Sequence, residues 1–124
     1  MRILIVDDSL VVRNAIARSV VTRSLEILRA EDGIQAAALF HDHRPELVTM
    51  DLTMPNLDGP AAITAILGIE PSTSILVISA LNSQRTAVDV IRRGACGFLA
   101  KPFTDQELAE ALAQLVTHAR HFAR

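Results

Sequence analysis

A doubly wound α/β fold follows from three features of this sequence. It has five short apolar runs, helical spacing in every segment between them, and near-continuous apolarity in three of the runs. The runs centre near Ile5, Ile27, Val48, Val77 and Leu99, so strand and helix alternate along the chain, the pattern of a parallel sheet. Right-handed crossovers then favour five strands in the order 2-1-3-4-5, flanked by five helices. At 124 residues this is one domain spanning residues 1–124, large enough to bury its own core.

Each element has its own signal. Ile3-Leu4-Ile5-Val6 reads as a central strand covered on both faces. Val12, Ile16 and Val20 recur every four residues and give the first helix a core-facing stripe. Leu25-Glu26-Ile27-Leu28-Arg29 carries charges within it, which suits an edge strand. Asp32 with Gln35 has capping-box spacing, and Gly33, Ala36, Ala37 and Phe40 mark one face of the helix that follows. Leu47-Val48-Thr49-Met50 and Ile75-Leu76-Val77-Ile78 are again continuous and central. Between them, Pro60 after Asp58-Gly59 suits a first helical turn, with Ile63, Ile66 and Leu67 on the core face. Ala87, Val90 and Ile91 form the stripe of the fourth helix, and Gly94 and Gly97 bracket the turn into Phe98-Leu99-Ala100. Thr104 and Glu107 start a last helix with Leu108, Ala111, Leu112 and Leu115 on one face, running to Arg124.

Composition narrows the function. Half the residues are hydrophobic, yet no run approaches the roughly 20 residues of a membrane span. No charged-then-apolar leader is present, and the single Cys96 forms no internal disulfide, so a cytoplasmic location is expected. A net charge of −2 gives no reason to expect nucleic acid or membrane as a direct partner. Neither phosphate-cradling glycine motif occurs, and without Trp or Tyr there is little to stack on bases. His41 and His43 diverge on a helix and make a poor metal pair, while His118 and His121 share a face but lack a third ligand and read as solvated or helix-end residues.

Four of the apolar runs stop at a reactive residue: at Asp7-Asp8, at Asp51, at Ser79 and at Lys101. Ligands of open α/β sheets bind beyond the carboxyl ends of the strands, where strand order reverses, here between the first and third strands. Singly, these acids are ordinary turn or cap residues, the reading that suits Asp32 and Asp58. Three together repel, which raises the pKa of at least one or requires a cation. A hard divalent ion such as Mg²⁺ meets that need, with Asp8 and Asp51 as direct ligands and Asp7 bound directly or through water. The backbone carbonyl of Thr53 completes the protein's share. Of the twelve basic residues only Lys101 is a lysine, a compact point charge suited to a phosphoryl oxygen. Asp51, ending a central strand before the Pro- and Gly-punctuated loop Leu52 to Gly59, is the candidate nucleophile and Ser79 a further phosphoryl contact.

At this point the chain resembles a receiver domain of two-component signalling over essentially its whole length. The matching segments are IVDDS, MDLTMPNLDG, VISA and GFLAKPF, in the family's order and spacing. The resemblance implies phosphoryl transfer to Asp51 from a histidine kinase or histidine phosphotransfer protein, with Mg²⁺, followed by slow self-dephosphorylation. It implies that Asp7 and Asp8 are the metal-binding pair, Ser79 and Phe98 the switch residues and Lys101 the phosphate contact. It further makes Lys101-Pro102 a bond commonly cis in the family. Phe98 stands where Tyr is frequent, which leaves any step needing a phenol hydroxyl without its group.

The resemblance also implies that Thr53 and Leu81 flank the path of the attacking water, and an apolar Leu81 leaves that water unoriented. Phosphorylation is expected to draw Ser79 inward and let Phe98 follow. That changes the surface of the fourth helix, fifth strand and fifth helix (Gln84, Ala87, Ile91, Ala100 and Ala111), where a downstream protein target docks. A stand-alone chemotaxis-type regulator is favoured over the receiver part of a longer regulator with a DNA-binding or methylesterase output domain. A small flavodoxin-like phosphohydrolase ranks lower, because a haloacid-dehalogenase-type site wants a second Asp where this chain has Thr53.

Overall fold

The structure is a computed structural model and describes residues 1–121. Five strands, β1 (Arg2–Val6), β2 (Glu26–Ala30), β3 (Leu47–Met50), β4 (Ser74–Ser79) and β5 (Gly97–Ala100), alternate with five helices. These are α1 (Leu10–Val20), α2 (Gly33–His43), α3 (Gly59–Ile69), α4 (Gln84–Arg92) and α5 (Asp105–His121). The strands are all parallel in the order β2-β1-β3-β4-β5, as the sequence predicts, with the charged β2 at one edge.

Alternate side chains of the central strands feed two cores, which is why these strands read as unbroken apolar runs. Leu4, Val6, Val48, Met50, Ile75 and Val77 pack with Phe40 of α2, Ile63 of α3 and Val90 of α4. On the opposite face Ile3, Ile5, Leu47, Leu76 and Ile78 meet Ile16 and Val20 of α1 and Leu108, Leu112 and Leu115 of α5. Helix starts are closed by side chains: Ser9, Asp32, Asp58 and Ser83 accept from the amides of Val12, Gln35, Ala61 and Thr86. Each satisfies a donor that the helix itself leaves unpaired. Thr104 and Glu107 form the full reciprocal box. The Asp32 box is offset, because Gln35 returns to the amide of Glu31, not Asp32.

Two expectations are corrected. Ala37 faces solvent, and Ile91 is exposed, because α4 buries a single side chain, Val90, against the sheet. His118 is exposed in the last turn of α5, as expected, and makes a further contact. Its Nδ1 lies 2.7 Å from the hydroxyl of the buried Ser74, tying the end of α5 to the start of β4. The expected continuation of the last helix to Arg124 falls outside the described residues. No helix among the described residues is long and apolar enough to cross a membrane.

Candidate functional site

The register Val6↔Met50 brings the ends of β1 and β3 level, so the residues that follow emerge side by side. Ladder bonds run one residue past each strand: Asp7 N–H donates to Ala30 (3.1 Å) and Asp51 N–H to Val6 (2.9 Å). Asp7 and Asp51 are buried and Asp8 is exposed, and each offers a carboxylate oxygen within 4.8 Å of the others. From the far side Lys101 enters, its amide donating to the Ser79 carbonyl at 3.0 Å and its peptide bond to Pro102 cis. Its Nζ lies 2.8 Å from Asp7 Oδ2 and 3.4 Å from Asp51 Oδ2. The sequence-predicted Asp7, Asp8, Asp51 and Lys101 thus converge at one edge of the sheet.

Burial pushes the Asp7 carboxyl above its ordinary range, outweighing the hydrogen bonds from Lys101 and the Ser9 amide, with the nearby Asp51 charge adding a smaller push. The elevation expected from crowded acids is therefore present, but desolvation is its main cause. Burial also pulls the Lys101 ammonium down. Its hydrogen bond to Asp7 and the charges of Asp7 and Asp51 more than offset this and hold it above the ordinary lysine value. Three carboxylates facing one ammonium leave negative charge to be neutralised, and hard oxygen donors at this spacing suit a divalent cation such as Mg²⁺.

The loop after Asp51 is held on both sides. Thr53 directs its amide (3.3 Å) and its hydroxyl (3.2 and 3.4 Å) at the Asp51 carboxylate. Gly33 of α2 donates to the Pro55 carbonyl at 3.2 Å, and a Cβ there would overlap the Asn56 carbonyl oxygen. A Cβ at Gly59 would lie 2.8 Å from the Leu52 Cα. Both glycines therefore permit a backbone approach that no other residue allows.

Ser79 is fully buried at the end of β4, its hydroxyl accepting from the Leu81 amide at 3.2 Å. Leu81 is 50% exposed and lines an open groove of about 840 Å³ with Leu52, Pro60 and Gln84. Of the expected docking face, Gln84 and Ile91 are exposed, while Ala87, Ala100 and Ala111 are half-buried. Phe98 is half-buried too, packed on the core that contains Val77 and Val90.

Sequence reasoning missed Arg13. Its Nη1 donates at 2.7 Å to the Asp7 carbonyl, and the residue is 9% exposed. The signal was present: Arg13, Ile16, Ala17 and Val20, the buried residues of α1, have i, i+3, i+4, i+7 spacing, with a charge heading the apolar row.

Comparison with known proteins agrees with this arrangement. Residues 3–113 match the family model of the response regulator receiver domain. The chemotaxis protein CheY of Bacillus subtilis is 40% identical over 112 residues, covering 90% of this chain and 93% of that protein. The signal receiver domain of a putative LuxO repressor protein from Vibrio parahaemolyticus superposes with a TM-score of 0.88 at 28% identity, covering 97% of this chain and 92% of that one. A Burkholderia pseudomallei response regulator, solved with a phosphorylated aspartic acid and a calcium ion, superposes with a TM-score of 0.81 at 30% identity, covering 97% and 69%. This chain belongs to the response regulator receiver family, the phospho-accepting switches of two-component signalling.

Proposed function

We propose that Asp51 is the phospho-acceptor, that Asp7, Asp8 and Asp51 with the Thr53 carbonyl hold Mg²⁺, and that Lys101 and Ser79 contact the phosphoryl group. The observation that carries this reading is the convergence of three carboxylates and the single lysine at one sheet edge. Bound Mg²⁺ supplies positive charge to phosphoryl oxygens that would otherwise repel an anionic nucleophile. An Asp51 carboxylate oxygen forms the new bond to phosphorus. The phosphorus–nitrogen bond of the donor histidine breaks with its electron pair staying on the imidazole. The Lys101 ammonium then donates to one phosphoryl oxygen and the Ser79 hydroxyl to another. The phosphorylated aspartic acid of the Burkholderia pseudomallei relative supports the acceptor assignment by analogy.

Movement of Ser79 toward the phosphoryl group frees space for Phe98 and reshapes the α4–β5–α5 face around Gln84, Ala87, Ile91, Ala100 and Ala111 for a downstream protein. Similarity to CheY of Bacillus subtilis across 93% of its length supports a chemotaxis-type regulator working in the cytoplasm. Incubation with Mg²⁺ and a small acyl phosphate, followed by intact mass, tests the central assignment. The parent should gain one phosphate and Asp51→Asn none. Phosphate on the variant, or none on the parent, overturns it.

A further inference from the structure

Every polar atom of Asp7 has a partner, whereas the Asp8 carboxylate has none among the described residues. The Asp7 amide donates to Ala30, Oδ1 accepts from the Ser9 amide at 2.9 Å, Oδ2 from Lys101 at 2.8 Å, and the carbonyl from Arg13 at 2.7 Å. Asp8 is exposed, so only its backbone sets where its Cβ sits and hence which positions its carboxylate can reach. The Asp7 carbonyl belongs to the rigid peptide plane that ends at the Asp8 nitrogen. Holding that carbonyl fixes ψ of Asp7, the torsion that sets the direction in which the chain leaves Asp7 and so where Asp8 Cα and Cβ sit. The carbonyl half of the plane is held by Arg13.

Arg13 is an unusual choice for that task. Its side chain is 11% exposed, and its nearest acid, Glu31, stands 3.8 Å away and is itself 60% exposed. Desolvating a guanidinium is unfavourable unless a well-formed partner compensates. Here the short bond goes to a neutral carbonyl, while the acid stays at the edge of ion-pairing distance. A bond from a charged donor to a main-chain oxygen is strong and directional, which suits it to fixing a plane.

We infer that Arg13 is a positioning residue for the metal site: by clamping the Asp7 carbonyl it aims Asp8 at the ion. The inference rests on the reading of the acidic trio as a Mg²⁺ site. A guanidinium this near an acidic pocket has a second effect of opposite sign, because its positive charge repels a dication. If charge alone mattered, neutralising Arg13 would tighten Mg²⁺ binding. If positioning dominates, the same change weakens it.

Calorimetric Mg²⁺ binding to the parent, Arg13→Gln, Arg13→Lys and Glu31→Gln separates the two, with amide NMR spectra recording the fold. Arg13→Gln should weaken binding about ten- to a hundredfold, the usual effect of removing a group that orients a ligand. Arg13→Lys, which keeps the charge and one donor, should weaken it less, and Glu31→Gln should leave it near the parent. The Mg²⁺ concentration that half-saturates phosphorylation by acyl phosphate should rise by the same factor, with the maximal rate retained. A merely structural role lowers stability without that shift. Folded Arg13→Gln with parental or tighter affinity overturns the inference. If that variant does not fold, Arg13→Lys at parental affinity overturns it. A parent that binds no Mg²⁺ sinks the metal reading itself. A parent that binds normally beside unaffected variants sinks only the role of Arg13.

Discussion

Nζ of Lys101 lies 2.8 Å from Oδ2 of Asp7, nearer than the 3.4 Å that separates it from Asp51. In this state the ammonium therefore leans on β1, one residue past its end, and not on the proposed acceptor. A phosphoryl group on Asp51 adds negative charge at the longer of these two contacts. That gives Lys101 a reason to shift across the pocket and carry the backbone after β5 with it.

Replacing that compact charge by a broad one tests the idea. Lys101→Arg keeps a cation facing Asp7, so Mg²⁺ affinity should stay within a fewfold of the parent. The planar fork does not fit a cleft shaped around an ammonium, so the response to phosphorylation should be lost. Two-dimensional amide NMR with Mg²⁺ and acyl phosphate reads this directly. Parental shifts at Ala87, Ile91 and Ala100 in the phosphorylated variant would falsify it.

Two glycines make predictions of opposite sign. A methyl at Gly33 would overlap the Asn56 carbonyl, so Gly33→Ala must push the acceptor loop outward. Overpacking of this kind destabilises by about 1–3 kcal/mol, and the displaced loop should slow phosphorylation. Gly68, near the end of α3, has nothing within 4 Å of the place an added methyl would take. There Gly68→Ala should stabilise by about 0.5–1 kcal/mol through helix propensity and unfolded-state entropy. Urea unfolding of both variants checks the pair, and equal signs would count against the packing account.

How much of this was legible in the sequence depends on the range of the cause. Strand order and the meeting of Asp7, Asp8, Asp51 and Lys101 follow from local apolar runs plus one topological rule, so they were readable. Cap residues such as Asp58 and Thr104 act within three positions and were equally plain. The contact of His118 with Ser74, 44 residues apart, and the approach of Gly33 to Asn56 depend on how helices settle on the sheet, which no periodicity encodes. Ile91 misled because a nine-residue helix whose one fully buried side chain is Val90 has a narrower core face than its apolar content suggests. Arg13 lay on a buried row and was overlooked because a charge there has meaning only once the Asp7 carbonyl is found beneath it.

Leu81 is the proposed determinant of phosphoryl lifetime. It is half-exposed, its amide is bonded to the Ser79 hydroxyl, and its apolar side chain offers no hydrogen bond to a water that attacks from that side. One such bond, worth about 1 kcal/mol, corresponds to roughly a fivefold faster hydrolysis. Leu81→Gln should shorten the half-life of phosphorylated protein by about that factor, followed by intact mass after removal of the donor. An unchanged half-life would move the control of lifetime elsewhere, with Thr53 and its hydroxyl bond to Asp51 the next position to vary.

Alkaline pH should destabilise this protein through Cys96. Burial raises the thiol above its ordinary value, with hydrogen bonds at its own and the Ile75 backbone only partly opposing. The folded state thus keeps its thiol proton at a pH where the unfolded chain has begun to lose it. Stability is then fully present below the ordinary thiol pKa and falls as pH rises through the folded one. A single proton limits the slope to about 1.4 kcal/mol per pH unit. The chain has no Tyr and one Lys, so few other side chains titrate between about pH 8 and 10. Lys101, also held above its ordinary value, contributes with the same sign at higher pH. Urea unfolding at about pH 7.5, 8.5 and 9.5 should show the decline in the parent and a flatter profile in Cys96→Ala. Parallel profiles would assign the loss to another group.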